Sequence, residues 1–321
     1  MQYFNSNHNK FSKICLGTWS LSGENSKIKS YERLNEKKIY TILEEALKKK
    51  INFFDTAPVY GLSEKYLGKF IHKIRENIIV SSKVGCTSFN KKLNFRKKNI
   101  KNQIESIKKN LKTDYIDIIQ LYNPNPHDRH LMSALELLDK LKSKKIIKLI
   151  GVTLNNPEDY IKLRKLFKFE FVQCNFNFLD QRILDLKILD LIKKDKSTLY
   201  ARTILNFGIF TEAFLKKNKL KFASYDHRSK WKIEQIHRWA SYAKKVKSLS
   251  NRNLETTSYK FVNSHNIDGL IIGATKKAHI ETACKKSNFK RLSKSELNKI
   301  NEIYSLYNNE LLQKPYYRIK S

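Results

Sequence analysis

The sequence predicts an α/β protein built as a (β/α)8 TIM barrel, with a long loop after the seventh strand and a helix at the C-terminus. Three observations predict it. Short apolar runs alternate with amphipathic stretches along the whole chain. Eight such runs can be counted, which favours a closed barrel over an open sheet. No Pro/Gly/Ser-rich linker or shift in composition divides the 321 residues, which include only 9 Gly and 5 Pro. One domain over 1–321 is therefore expected, and 40% hydrophobic residues with 18 Phe and 16 Tyr give it ample core material.

Strand one is residues 13–18, followed by a polar loop and a helix over 36–50 whose Ile39, Leu43, Ala46 and Leu47 form one stripe. Strand two, 51–55, ends at the carboxylate of Asp55. Ser63 and Glu64 open a helix carrying Tyr66, Leu67, Phe70 and Ile71. Strand three, 77–84, is β-branched, and the helix after it holds Ile100, Ile104, Ile107 and Leu111. Strand four, 115–122, is stopped by Asn123-Pro124-Asn125-Pro126. A helix over 131–144 leads to strand five at 146–153. Asn156 and Pro157 then fit an N-cap with proline at the first helical position. Strand six (171–175), a helix over 183–194 and strand seven (197–202) follow. An irregular stretch precedes a helix over 232–249; strand eight is 267–273, with a helix from Lys277. A helix over 294–307 and a basic tail finish the chain.

The formal net charge is +34. Such an excess attracts nucleic acid, acidic membrane or a phosphorylated cofactor. Here it is scattered in doublets such as Lys108-Lys109, Lys193-Lys194 and Lys244-Lys245, late in amphipathic helices where cations face the negative end of the dipole. No nucleic-acid recognition motif accompanies them, so a solvated surface is the better reading and no specific nucleic-acid partner is expected. The first residues lack the charged-then-apolar build of a signal peptide, and the apolar runs are too short to span a bilayer, so no membrane association is expected. Cys15, Cys86, Cys174 and Cys284 are widely spaced, as suits reduced cytoplasmic thiols rather than a disulfide frame or a metal site.

In a barrel of this kind reactive groups project from the C-terminal ends of the strands. Asp55 ends strand two, Tyr60 lies five residues on, and Lys83 sits near the end of strand three. A lysine inside Ile79-Val80-Ser81-Ser82-Lys83-Val84 is costly to bury without a partner, and Asp55 on the neighbouring strand can supply one. An ammonium near a phenol favours the ionised form, which would ready Tyr60 for proton transfer. An Asp–Lys pair of purely structural meaning, with Tyr60 a rim aromatic, fits the spacing equally well.

The segment Phe54-Asp55-Thr56-Ala57-Pro58-Val59-Tyr60-Gly61, with Ser63-Glu64 and Leu67-Gly68, resembles the signature around the catalytic Asp and Tyr of the aldo-keto reductases. Ser81-Ser82-Lys83-Val84-Gly85 is similar to the segment bearing their catalytic Lys, and Leu111-Lys112-Thr113-Asp114-Tyr115-Ile116-Asp117 to their entry into strand four. Ile150-Gly151-Val152, Phe171-Val172-Gln173, Ile271-Ile272-Gly273-Ala274-Thr275 and Phe222 with Asp226-His227-Arg228 continue the likeness in order. The resemblance implies that Asp55, Lys83 and Tyr60 are catalytic, with Tyr60 the proton donor. The family's fourth catalytic position is a His at the end of strand four; Tyr122 stands there, and His127 and His130 lie beyond it past two prolines. The Ser-Asn pair that holds the nicotinamide amide reads Thr153-Leu154, and the Glu-Asn pair that addresses adenine is missing from His279-Ile280-Glu281-Thr282-Ala283. The cofactor contacts implied are Thr153, Gln173, Arg202, Gly273, Ala274, Thr275, Lys276, Lys277 and His279, with Lys276 and Lys277 available to a 2′-phosphate.

These residues predict an oxidoreductase using NADP(H), with NAD(H) as the other candidate, that moves a hydride between nicotinamide and the carbonyl of an aldehyde, ketone or aldose. The expected partner is that small carbonyl or sugar substrate. A cofactor-binding sensor or scaffold with little turnover is the rival reading, motivated by Tyr122 and Leu154. A nucleic-acid-binding barrel rests on charge alone.

Overall fold

The structure, a computed structural model, describes residues 1–7, 9–217 and 220–311. The N-terminal residues, expected only to be polar, form an antiparallel hairpin of β1 (Tyr3–Ser6) and β2 (Asn9–Ser12). The barrel strands follow as β3 (Ile14–Gly17), β4 (Phe53–Asp55), β5 (Ile79–Val84), β6 (Ile116–Tyr122), β7 (Ile147–Leu154), β8 (Phe171–Asn175), β9 (Thr198–Arg202) and β10 (Gly269–Gly273). They close in the order β10-β3-β4-β5-β6-β7-β8-β9, every pairing parallel. This is the predicted (β/α)8 barrel.

Around it run α1 (Glu36–Lys48), α2 (Ser63–Ile71), α3 (Lys97–Leu111), α4 (Leu131–Ser143), α5 (Asp159–Leu166), α6 (Arg182–Asp185), α7 (Ile188–Lys194), α8 (Glu212–Leu215), α9 (Ile233–Lys247), α10 (Leu254–Asn263), α11 (Lys277–Ala283) and α12 (Lys294–Leu311). Helix α1 shows why they form. Asn35 caps it by accepting from the Lys38 amide, and Ile39, Ile42, Leu43 and Ala46 bury one face against the barrel. The lysine doublets Lys108-Lys109, Lys193-Lys194 and Lys244-Lys245 lie in the last turns of α3, α7 and α9, as the dipole argument predicts. No described helix is long and apolar enough to cross a membrane.

Several expectations are corrected. Asn156 and Pro157 do not open α5. Their carbonyls accept from Asp159 and Tyr160 in a preceding turn, and Glu158 is the N-cap. The helix expected over 183–194 breaks into α6 and α7 because Lys187 takes a left-handed conformation, φ 53°. The stretch after β9 contains α8 and two 3-10 turns, and α10 lies between the helix expected over 232–249 and strand eight, where no element was expected. The C-terminal helix runs past 307 to Leu311, and the basic tail beyond it lies outside the described residues.

Alternation along the strands decides what faces the barrel axis. Cys15, Phe53, Ile79, Ile118, Leu149, Phe171, Tyr200 and Ile271, one from each strand, pack as an apolar layer with Phe11 and Phe4 of the hairpin beneath them. Tyr200 donates from its hydroxyl to the Ser12 carbonyl at 2.7 Å, fixing the hairpin as the barrel's floor. Two residues further along the same inner face stand Asp55, Ser81, Gln120, Gly151, Gln173 and Arg202. Burying the lower layer thus delivers polar groups to the upper one.

Candidate active site

Asp55 and Lys83 meet as expected. Lys83 Nζ lies 2.6 Å from Asp55 Oδ2 and donates to the Thr56 carbonyl at 2.9 Å, with the lysine only 1% exposed. The other carboxylate oxygen, Asp55 Oδ1, accepts from Gln120 Nε2 at 3.1 Å and from Gln173 Nε2 at 3.0 Å. Gln120 also donates to Ser81 Oγ at 2.6 Å. A buried ion pair is tolerable when its remaining lone pairs are bonded, and here both carboxylate oxygens are. Gly151 makes the arrangement possible: a Cβ there would stand 2.8 Å from the Phe171 carbonyl oxygen and 3.2 Å from Gln120 Cγ, displacing the amide from Asp55. Gln120 was missed in the sequence, although its place two residues after inward-facing Ile118 marks it.

Tyr60 leaves β4 through a tight turn closed by Gly61 at φ +67°, which favours glycine. Its ring centroid lies 4.9 Å from Lys83 Nζ. The proximity is as predicted, but the electrostatic consequence is not. Burial, reinforced by the Asp55 carboxylate, pushes the Tyr60 phenol well above its ordinary value, and Arg202 opposes the rise. The Lys83 charge is spent on Asp55, so it does not ionise the phenol. Tyr60 therefore holds its proton across the neutral range.

Tyr122, ending β6, packs with Tyr60 against Ala57, Val59 and Cys86. Burial raises its phenol too, the neighbouring Tyr60 adds to the shift, and Arg202 again opposes it. Among the described residues neither hydroxyl has a hydrogen-bond partner. His127 and His130 are occupied on the loop after β6: His127 Nε2 pairs with Lys162 Nζ at 3.0 Å, and His130 Nε2 accepts from Arg129 Nε at 3.3 Å.

A second group missed in the sequence is Trp19, directly after β3. Its ring sits 6.4 Å from Tyr60 and 4.5 Å from His227. His227 belongs to the loop after β9, which is pinned to the loop after β3 by His227 N donating to the Ser30 carbonyl at 2.8 Å and Ser30 N donating to the Tyr225 carbonyl at 3.1 Å. Arg228, held by Asp226 at 2.6 Å, lies over Phe222 at 4.8 Å and Tyr31 at 5.2 Å. The residues picked out in this loop therefore clasp it across the barrel mouth.

The predicted cofactor contacts fall in two places. Thr153 donates to Gln173 Oε1 at 2.9 Å, so both ends of the Gln173 amide are engaged, one by Thr153 and one by Asp55. Leu154 is buried and apolar. Arg202 reaches from β9 to the Leu154 carbonyl at 3.3 Å and Asn155 Oδ1 at 2.5 Å. At the end of β10, Gly273 is exposed and a Cβ there would meet nothing within 4 Å, which leaves room for a ligand against the strand end. Ala274 is fixed through its carbonyl by Ser20 at 2.7 Å. Thr275 donates its amide to His279 Nδ1 at 3.2 Å and its hydroxyl to Glu32 at 3.0 Å. Lys276 and Lys277 are exposed at the start of α11, and among the described residues no carboxylate bridges to either. The open strand end beside two free ammonium groups fits a phosphorylated dinucleotide.

The family model described as "Aldo/keto reductase family" matches residues 13–305. Aldo-keto reductase YhdN of Bacillus subtilis (strain 168) is 30% identical over 207 residues, covering 62% of this chain and 60% of its own length. The uncharacterized oxidoreductase YqkF of the same organism is 24% identical over 295 residues, 89% of this chain and 90% of its own. D-threo-aldose 1-dehydrogenase of Pseudomonas sp is 29% identical over 149 residues, 38% of this chain and 45% of its own. The match thus spans less than two thirds of YhdN and of the aldose dehydrogenase. Among solved structures, the holo form of aldo-keto reductase AKR11C1 from Bacillus halodurans superposes with a TM-score of 0.75 at 20% identity, covering 94% of this chain and 96% of that one. Glycerol dehydrogenase AKR11B4 from Gluconobacter oxydans gives 0.73 at 21% identity, covering 93% of each chain. These two likenesses are of fold, and it is the sequence match over nearly the whole barrel that places the chain in the aldo/keto reductase family.

Proposed function

We propose that this protein is an NAD(P)H-dependent oxidoreductase acting on the carbonyl of an aldehyde, ketone or aldose. The observation that carries the reading is Tyr60, protonated and unbonded, over the buried Lys83–Asp55 pair at the barrel mouth. A bound nicotinamide supplies or accepts the hydride; the chain supplies binding, orientation and the proton. Lys276, Lys277 and His279 are the residues to hold the adenosine end, with Gly273, Ala274 and Thr275 forming the strand end against which it rests. Thr153 and Gln173 line the nicotinamide end, Gln173 held rigid by its bonds to Asp55 and Thr153.

In reduction, Tyr60 gives its proton to the carbonyl oxygen, and the adjacent Lys83 ammonium stabilises the phenolate left behind. The same lysine adds little to the resting phenol because Asp55 compensates it; its contribution grows as charge develops on Tyr60. Tyr122, also protonated, offers a second hydrogen-bond donor to that oxygen in place of the family's His. Trp19 and the clasped loop shield the pair from water. The relation to an aldose dehydrogenase supports sugars within the substrate class. Tyr122 and Leu154 also favour a second reading, a cofactor-binding scaffold with little turnover.

The test is steady-state oxidation of NADPH and NADH against a panel of aldehydes and aldoses, with Tyr60→Phe alongside. Turnover in the parent that is abolished in the variant, with cofactor binding retained, is the expected result. Cofactor binding without turnover on any carbonyl would leave the scaffold reading, and near-parent activity in Tyr60→Phe would overturn the mechanism.

A further inference from the structure

Seven of the described arginines are at least partly buried. Five of them bridge a carboxylate: Arg75 to Asp117, Arg164 to Asp195, Arg182 to Asp180, Arg228 to Asp226 and Arg252 to Glu296. Arg33 lies over the ring of Tyr225. Arg202 has neither. Its Nη2 donates to two neutral oxygens, the Leu154 carbonyl and Asn155 Oδ1, while among the described residues Nε is buried without an acceptor and Nη1 has no bonding partner. Arg202 is half-buried, and a guanidinium partly withdrawn from water with no countercharge is costly; an anion arriving at its free edge relieves that cost.

The location makes the vacancy useful. Arg202 follows Tyr200 by two residues, so alternation puts it on the inner face of β9 above the apolar layer. It pairs in register with Asn175, which reaches the inner face of β8 in the same way from Phe171 through Gln173. Asn175 is 1% exposed; its Oδ1 accepts from Thr203 at 3.0 Å, and its Nδ2 has no acceptor. Tyr122 and Thr153, paired with each other on β6 and β7, complete the inner ring at this level. Opposite the ion pair that serves Tyr60, the mouth thus carries unmet donors and a net positive charge.

We infer that Arg202, with Asn175 beside it, is a specificity site that takes a carboxylate or phosphate group of the substrate, so that the preferred carbonyl compounds are anionic. The resemblance drawn from the sequence put Arg202 among the cofactor contacts; the proposal assigns it to the substrate instead. It rests on the oxidoreductase reading for the reaction but not for the binding. The planar fork of the guanidinium suits two oxygens of one oxyanion, which an ammonium does not reproduce.

The experiment compares acids with their neutral counterparts: glyoxylate and 4-oxobutanoate against their methyl esters, and glyceraldehyde 3-phosphate against glyceraldehyde, in the parent, Arg202→Met and Arg202→Lys. The expected ratio of kcat/KM, acid over neutral, exceeds about tenfold in the parent, falls by on the order of 10- to 100-fold in Arg202→Met, and is intermediate in Arg202→Lys. Succinate, which does not react, is titrated against the complex with NADP(H) by tryptophan fluorescence, and its binding should weaken by a similar factor in Arg202→Met. This arm needs no turnover, so loss of succinate binding in an inert protein would uphold the anion site while removing the oxidoreductase reading. Turnover of neutral carbonyls with no acid preference in the parent would overturn the inference and leave the reaction standing. NADPH affinity that falls in Arg202→Met while the acid-to-neutral ratio holds would also overturn it, assigning the oxyanion to the cofactor. Thermal unfolding of Arg202→Lys guards against a folding defect, since that variant keeps the charge and most of the volume.

Discussion

The Lys83→Met substitution tests whether Asp55 and Lys83 act as one unit. At an effective dielectric of about 20, two charges separated by about 3 Å attract by about 5 kcal/mol. Desolvating both ions offsets most of that, so the pair adds little net stability compared with an apolar substitute. Breaking it is another matter. Lys83→Met leaves a carboxylate only 3% exposed, held by the amides of Gln120 and Gln173 alone. The loss should be about 3–4 kcal/mol, a large share of an ordinary domain's stability. Asp55→Asn in the Lys83→Met background removes the stranded charge and should recover about 2 kcal/mol, whereas in the parent it destabilises. The assay is urea unfolding of the four proteins at pH 7 without cofactor, followed by tryptophan fluorescence, with the coupling taken from the double-mutant cycle. Additive losses, with the double variant worse than either single one, would refute the argument that the two charges stabilise each other.

Three further outcomes follow from the site. Tyr122→Phe keeps the shape of the side chain but removes its hydroxyl, and should slow turnover by about 10²-fold, as for the loss of one oriented donor; Tyr122→His should match or exceed the parent, and a Phe variant as fast as the parent would show the hydroxyl to be idle. Changing Lys276 and Lys277 together to Ala should narrow the preference for NADPH over NADH by about 1–3 kcal/mol, measured as the ratio of dissociation constants, and equal affinity in the parent would remove the basis for assigning them to a 2′-phosphate. His227 gives a pH dependence. Burial pushes it from 6.5 down to about 4, only partly opposed by Asp226, so the unfolded chain takes up the proton first as pH falls. The stability it contributes is full above about pH 6.5 and lost progressively down to about pH 4, about 3 kcal/mol in all. His227→Phe should shrink the drop in melting temperature between pH 7 and pH 4.5, and an unchanged drop would assign the acid sensitivity to other groups.

Much of this was legible in the chain because a parallel barrel writes itself plainly. Strands buried on both faces read as continuous apolar runs, and each crossover helix carries its own stripe and cap. The strand-end residues Asp55 and Lys83 were legible for the same reason, since a charge at the end of a buried run has few places to go. What escaped was whatever depends on the third dimension alone. The floor of the barrel is made by a hairpin whose strands alternate weakly, Tyr3-Phe4-Asn5-Ser6 against Asn9-Lys10-Phe11-Ser12, and its meaning appears only when Phe11 meets Phe53 at 5.4 Å and Tyr200 at 6.3 Å. The breaks at Lys187 and before Asp159 escaped because lysine in a left-handed conformation, or a proline in a turn just ahead of a helix, carries no distinctive local signal.

The sign of the effect on Tyr60 is the most instructive failure, because the contact was predicted correctly. Reasoning from residue types treats Lys83 as a free charge near a phenol. In the structure that charge is compensated at 2.6 Å, and among the described residues the uncompensated cation on the inner face is Arg202, three strands beyond Tyr122. It is Arg202 that opposes the rise of both phenols. A single neutralised ion pair under the donor and a single unneutralised cation across the mouth have different uses. The pair can hold Tyr60 in place with little influence on its resting proton, and then respond to charge formed during the reaction. The lone guanidinium acts earlier, on whatever enters the barrel. Anion capture at Arg202 would also neutralise the charge that most opposes the rise of the Tyr60 and Tyr122 phenols, so a bound carboxylate should make both of them hold their protons more firmly. The chemistry of the substrate and the protonation of its donor are therefore linked through one residue, and the pH profile of kcat/KM should extend further on its alkaline side with an anionic substrate than with a neutral one. Superimposable profiles for 4-oxobutanoate and its methyl ester would break that link.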